Sequence, residues 1–162
     1  MHTNLQALNA DFTCKHCGAF VSTHKAASGV VNRNHCPYCL YSQHLDLFKA
    51  GDRLCACKAL MAPVGLTYKN RRDKFSQNQQ GELMLVHRCE YCGDLSINRV
   101  AADDDPLKLI DVFEHKSPEI DQLHRACQDH GISMLTRINR SMLMTNLFGL
   151  PSEEIRDLIS LG

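Results

Sequence analysis

Two C-x-x-C pairs, Cys14/Cys17 and Cys36/Cys39, stand eighteen residues apart. No other feature of the chain limits its fold as much. A C-x-x-C turn points two thiolates at one centre, and two such turns complete a tetrahedron, the pattern of four-cysteine zinc sites. Gly18 suits the left-handed turn that ends such a knuckle. A third pair, Cys89/Cys92 followed by Gly93, repeats the feature, and Cys55-Ala56-Cys57 is the other cysteine source upstream of it. The pattern predicts two zinc ions per chain, the first held by Cys14, Cys17, Cys36 and Cys39.

The second set needs a fourth donor beside Cys57, Cys89 and Cys92. His87 lies two residues before Cys89, so on a strand the two side chains share a face. His87 is therefore the expected ligand, with His44 and Cys55 as rivals. The Met1–Phe12 segment lacks a basic-then-apolar leader, and no apolar run reaches the length of a membrane span. The expected compartment is the reducing cytoplasm, where nine Cys and nine His point to metal before disulfides.

Cys36-Pro37-Tyr38-Cys39 also spells the dithiol of glutaredoxins. Here no apolar strand precedes it, no Thr-Val-Pro loop follows, and a partner pair sits at zinc spacing. The metal reading prevails.

Further short motifs stand in order around these cysteines. They include Phe12-Thr13-Cys14-Lys15-His16-Cys17-Gly18, Arg33-Asn34-His35-Cys36-Pro37, Ser42-Gln43-His44-Leu45-Asp46 and Gly51-Asp52-Arg53. Cys57, Met61-Ala62-Pro63, His87-Arg88-Cys89 and Asn98-Arg99-Val100-Ala101-Ala102-Asp103-Asp104 complete the series. Over roughly residues 10–105 the chain resembles the bacterial RNHCP domain family, which implies a small zinc-binding module. The resemblance favours Cys57 over Cys55, because Cys57 stands at the family's cysteine after Gly-Asp-Arg. The chain departs from that pattern at Cys55 and at Lys58-Ala59, where small residues such as Gly are expected.

Charge divides the chain. Residues 1–100 carry a balance of +5 and residues 101–162 one of −5. The change falls at Ala101-Ala102-Asp103-Asp104-Asp105-Pro106. The expected class is α+β: a zinc-ribbon-like, double-zinc module over residues 10–105, then a helical extension over 106–162. Residues 65–68 and 82–87 read as strands joined by a long polar hairpin loop. Asp105 should cap a helix starting at Pro106, with Leu107, Ile110 and Phe113 on one face. A second helix should begin near Ser117-Pro118-Glu119 and stop at Gly131. A third is expected from Ile132 to Phe148 and a fourth from Glu153 to Leu161.

Lys69, Arg71, Arg72 and Lys74 place four cations on the hairpin, and Arg33, Arg53, Arg88 and Arg99 add guanidinium groups beside the knuckles. Guanidinium forks suit phosphate, and Tyr38, Tyr41, Tyr68, Phe75 and Tyr91 offer faces for unpaired bases. These residues favour binding to RNA, free or in the ribosome. A protein adaptor using the face around Met134, Leu143 and Met144 is the alternative. A hydrolase is a third reading, and it would need an open position at the second zinc. No His-Glu-x-x-His, deaminase signature or phosphate-cradling loop supports an enzyme.

Overall fold

The computed structural model describes residues 10–49, 51–69 and 81–149. The fold is α+β. A two-stranded ribbon joins β1 (Phe12–Thr13) to β2 (Phe20–Val21), followed by the short helix α1 (Lys25–Ser28). An antiparallel sheet then runs in the order β3 (Ser42–Gln43), β4 (Leu60–Lys69), β5 (Glu82–Cys89) and β6 (Leu95–Arg99). Among the described residues three α-helices follow: α2 (Pro106–Glu114), α3 (Ile120–Asp129) and α4 (Arg140–Phe148). Among the described residues no helix is long and apolar enough to cross a membrane.

The knuckles explain the hairpins. Each C-x-x-C pair forms the turn of an antiparallel pairing: Thr13 with Phe20, His35 with Ser42, and Arg88 with Leu95. The two expected strands appear, and both are longer than their apolar runs suggested. The β4–β5 register shifts between Pro63 and Gly65, where the proline has no N–H to give to a ladder. The loop expected between these strands falls mostly on residues 70–80, outside the described residues.

Asp105 does cap α2, its carboxylate accepting from the Leu107 amide at 2.9 Å, with Pro106 in the first turn. The buried face differs from the expected one. Leu109 and Ile110 point inward, while Leu107 is 56% exposed. In α3, Cys127 is fully buried and the chain reverses at Gly131, whose φ is +71°. The third helix is shorter than expected. Residues 132–135 lie extended along β4, with Met134 bridged to Thr67 and the Leu135 amide donating to the Leu66 carbonyl at 2.7 Å. Helix resumes only through a 3-10 turn at Arg137–Asn139 and then α4. The sheet edge offers these residues backbone partners that local propensity does not register. The helix expected over Glu153–Leu161 lies outside the described residues.

The main core is a cluster of five leucines: Leu40, Leu66, Leu85, Leu109 and Leu143. Each is buried to within 1% of complete, so each contributes roughly 1.5–3 kcal/mol. Leu40 belongs to the second knuckle, Leu66 and Leu85 to the sheet, and Leu109 and Leu143 to α2 and α4. The sequence break near residue 105 therefore marks a change from sheet to helix, and the core runs across it.

Candidate metal centres

The three knuckles share one backbone. The first cysteine amide donates to the carbonyl five residues on, in Cys14–Ala19, Cys36–Tyr41 and Cys89–Asp94, each at 2.8–2.9 Å. The amide four residues on returns to the cysteine carbonyl, from Gly18, Leu40 and Gly93. Those returning residues have φ of +76°, +63° and +76°. Glycine meets this requirement without strain at two knuckles. Leu40 does not, and costs about 1 kcal/mol or more in the left-handed region. Its fully buried side chain, set in the leucine core, offsets that cost.

Two donor sets result. Cys14, Cys17, Cys36 and Cys39 form the first, and His44, Cys57, Cys89 and Cys92 the second. Within each set the ligand atoms all lie within 4.8 Å of one another. Sulfur separations are 3.6 Å for Cys14–Cys39, 3.6 Å for Cys17–Cys36 and 3.7 Å for Cys57–Cys89. Zinc–sulfur bonds of about 2.3 Å around a tetrahedron place sulfurs about 3.8 Å apart. Cys92 Sγ stands 3.3 Å from His44 Nδ1, against about 3.6 Å for a thiolate and an imidazole on one zinc. Donor chemistry and spacing both fit, so each set could hold one zinc ion.

The fourth donor of the second set is His44, which replaces the expected His87. Backbone pairing places it: the His44 amide donates to the Ala59 carbonyl, and the Lys58 amide to the His44 carbonyl. This aligns His44 beside Cys57. Lys58 itself has φ +51°, where glycine would be unstrained. His44 Nε2 faces Asp94 Oδ2 at 3.2 Å. That contact leaves Nδ1 for the metal, the arrangement in which a carboxylate orients a ligating imidazole. Asp94 was not visible as a functional residue in the sequence. Its only local sign is its place directly after Cys92-Gly93.

His87 is fully buried and has another task. Burial, and then neighbouring His35, lower its pKa to about 3, so the ring is neutral. Its Nε2 donates to the Leu40 carbonyl at 2.7 Å, and its Nδ1 accepts from Asn98 at 3.0 Å. It ties β5 to the second knuckle. Cys55 is buried and lies outside both donor sets.

Thiol acidity is set by burial against local backbone hydrogen bonds. Backbone hydrogen bonding at Ala19 chiefly lowers the Cys17 pKa, whereas burial raises those of Cys36 and Cys39. At Cys89, burial opposes ionisation. The backbone amides of Cys92 and Tyr91 and the neighbouring thiols outweigh it, and the pKa falls to about 6. Cys17 and Cys89 thus favour the thiolate, whereas Cys36, Cys39 and Cys92 are shifted toward the thiol.

Arg33, expected on the nucleic-acid surface, is buried at 1% exposure. Its Nη1 donates to both Asp103 oxygens at 2.8 Å, its Nη2 to Asp104 at 3.2 Å, and its Nε to the His35 carbonyl at 3.1 Å. Asp104, also buried, takes His35 Nε2 at 2.8 Å and the Ala101 amide at 2.7 Å. Arg33 is therefore removed from the candidate surface. Arg53 is likewise occupied: it bonds the Asn34 carboxamide, and its amide donates to Asp46 at 3.1 Å. Lys69 and Arg88 are exposed, and Arg99 pairs with Glu82 at 3.2 Å. Arg71, Arg72 and Lys74 lie outside the described residues.

Three knuckles, two closed Cys/His donor sets and one arginine-locked core define a small metal-knuckle protein of mixed sheet and helix. The chain belongs to the RNHCP domain family, whose family model matches residues 9–110. That span ends inside α2, one residue beyond Leu109. No curated protein and no solved structure matched the chain.

Proposed function

We propose that this protein carries two structural zinc ions in a zinc-ribbon-like scaffold and binds unpaired RNA, free or in the ribosome, in the cytoplasm. Four protein donors in each set leave no coordination position for a reacting water, so the hydrolase alternative loses its basis. The observation that carries the RNA reading is at the knuckle tips. The same position of each C-x-x-C turn holds a ring: His16, Tyr38 and Tyr91. His16 stacks on Tyr41 at 3.6 Å and 5°, while Tyr38 and Tyr91 are 59% and 85% exposed. Among the described residues neither exposed ring has a stacking partner. Exposed Lys15 adjoins His16 in sequence, and exposed Arg88 precedes Tyr91 by three residues, with Glu90 between. Exposed rings held on rigid turns suit the faces of unpaired bases.

The adaptor reading relied on the Met134, Leu143 and Met144 face. Leu143 and Met144 are fully buried, which counts against that face as a docking surface.

Fluorescence anisotropy with single-stranded RNA of mixed sequence, about 20 nucleotides long, tests the proposal. Replacing Lys69, Arg71, Arg72 and Lys74 with Ala should weaken binding at low salt and flatten its salt dependence. Tyr38→Ala with Tyr91→Ala should weaken it by tenfold or more. Absence of binding by the zinc-loaded wild type would refute the RNA reading.

A further inference from the structure

Among the described residues the four-stranded sheet has several stretches of open edge, and all but one are guarded. β3 is only two residues long. The free side of β4 carries Pro63 and a register shift, and residues 134–135 then cover it at Leu66 and Thr67. Short length, proline, bulges and covering segments are common defences against pairing with another chain. β6 has none of the last three. It is the outermost strand, five residues long, with an unbroken register on β5 and no proline or lysine.

Hydrogen bonds at the two ends of β6 define its free side. The Cys89 amide donates to the Asp94 carbonyl at 2.8 Å, and the Val100 amide donates to the Leu83 carbonyl at 3.3 Å. Residues 94, 96, 98 and 100 therefore turn their backbone groups toward β5. Alternation along the strand turns those of Leu95, Ile97 and Arg99 outward. These outward groups have no hydrogen-bond partner among the described residues.

A cleft of about 550 Å³ runs beside this edge, and every residue from Asp94 to Arg99 lines it. Loop residues 30–32 and 43–49 supply much of the remaining lining, including Val31 at 57% exposure and Phe48 at 82%. The second loop is held rigid. Asp52 accepts from the amides of Leu47, Phe48, Lys49 and Leu54, and Asp46 accepts from those of Gly51 and Arg53. Apolar side chains are thus fixed in water beside free backbone donors and acceptors, a preorganised surface. The ends of the cleft differ in charge. Asp94 stands at one end, and at the other Lys69 and Arg99 share the single Glu82 carboxylate between them.

The geometry points to a peptide-binding slot at β6, where an extended segment of a partner protein adds a further strand to the sheet. Such a segment of five residues spans about 17 Å, so it follows the whole edge. Its backbone meets the outward groups of Leu95, Ile97 and Arg99. Its side chains alternate, one set beside Leu95 and Ile97 on one face and the other beside Ser96 and Asn98 on the opposite face. Cross-strand pairing makes the first set apolar and the second polar. An acidic residue suits the end at Lys69 and Arg99. A single strand suits the space better than the sheet edge of a second copy, because the loops carrying Val31 and Phe48 also border it. The inference stands apart from the RNA reading and adds a protein partner to it.

The test selects binders from a displayed library of random peptides, about ten residues long, on the zinc-loaded full chain. Calorimetry then titrates the strongest. Selected peptides should share a stretch of alternating apolar and polar residues with Asp or Glu at one end. Ile97→Pro removes an outward N–H and leaves the bonds to β5 in place, as proline on an edge strand can. It should weaken binding by roughly tenfold or more, with zinc content and helix signal unchanged. N-methylation of the peptide at every second residue needs no variant protein. It should abolish binding in one phase of the alternation and change it by about threefold at most in the other. No selected peptide, or binding indifferent to Ile97→Pro or to the phase of N-methylation, would overturn the slot. A wild-type chain that sediments as a dimer, and as a monomer after Ile97→Pro, would overturn it in favour of edge-to-edge self-pairing.

Discussion

Asp104→Ala removes the centre of the buried Arg33 network. In the native protein Asp104 accepts from Arg33, from His35 and from the Ala101 amide, and its side chain is fully shielded from water. The substitution leaves a guanidinium buried with one remaining carboxylate, Asp103, whose side chain is 37% exposed. Breaking a buried pair from one side costs roughly 3–5 kcal/mol. With a urea m-value of about 2 kcal/mol/M, the unfolding midpoint should fall by about 2 M. A chain of this size loses about 2–4 °C per kcal/mol, so the melting temperature should drop by about 10 °C. Free zinc must be held constant, since a bound metal adds to apparent stability. Asp103→Ala is the control. It removes a half-exposed partner and leaves Asp104 in place, so its loss should be about 1 kcal/mol. Removing both charges in Arg33→Met/Asp104→Asn should recover part of the stability lost in Asp104→Ala. Equal losses for the Asp103 and Asp104 variants, or a loss below about 1 kcal/mol at Asp104, would refute the network as the anchor between the second knuckle and residues 101–104.

Other perturbations separate metal-binding from packing roles. His44→Ala should reduce zinc content from two ions to one by elemental analysis, and His44→Cys should restore it, whereas His87→Ala should keep two zinc ions while lowering stability. Asp94→Asn should weaken zinc at the second set alone by about 10–100-fold in a chelator competition. Lys58→Gly should be neutral or stabilise by about 1 kcal/mol in urea unfolding, while Leu40→Gly should destabilise by about 2–4 kcal/mol despite the same relief of positive φ. Chelation should lower the melting temperature of the helix signal along with that of the sheet, because Leu40 ties the second knuckle to α2 and α4.

Local features of this protein were legible in its sequence, and features closed by distant pairing were not. The knuckles are short and self-contained, so cysteine spacing alone gave the first donor set. Asp105-Pro106 likewise marked the start of α2. The fourth donor of the second set was hidden because His44 reaches Cys57 only through backbone pairing of residues 44 and 58–59. The strand-face argument for His87 was sound about direction. That face, however, leads to the Leu40 carbonyl, and the donors gather elsewhere. Arg33 resembled a free cation because its partners lie about seventy residues along the chain. Residues 132–135 resembled helix because their partners are backbone groups of β4, which no side-chain pattern announces.

The reach of Arg33 also sets an order of events during synthesis. The first donor set closes within 25 residues, from Cys14 to Cys39. Asp104 follows Arg33 by 71 residues, about 4–14 s of translation at common rates. Through that interval a nascent chain has every ligand for its first metal but no counter-charge for the arginine that anchors it. Both donor sets are complete by Cys92, before the counter-charge of Arg33 is made. A fragment ending before Asp103 would retain the knuckles and still leave a guanidinium in the interior, so the shortest stable form of this chain should extend past Asp103 and Asp104.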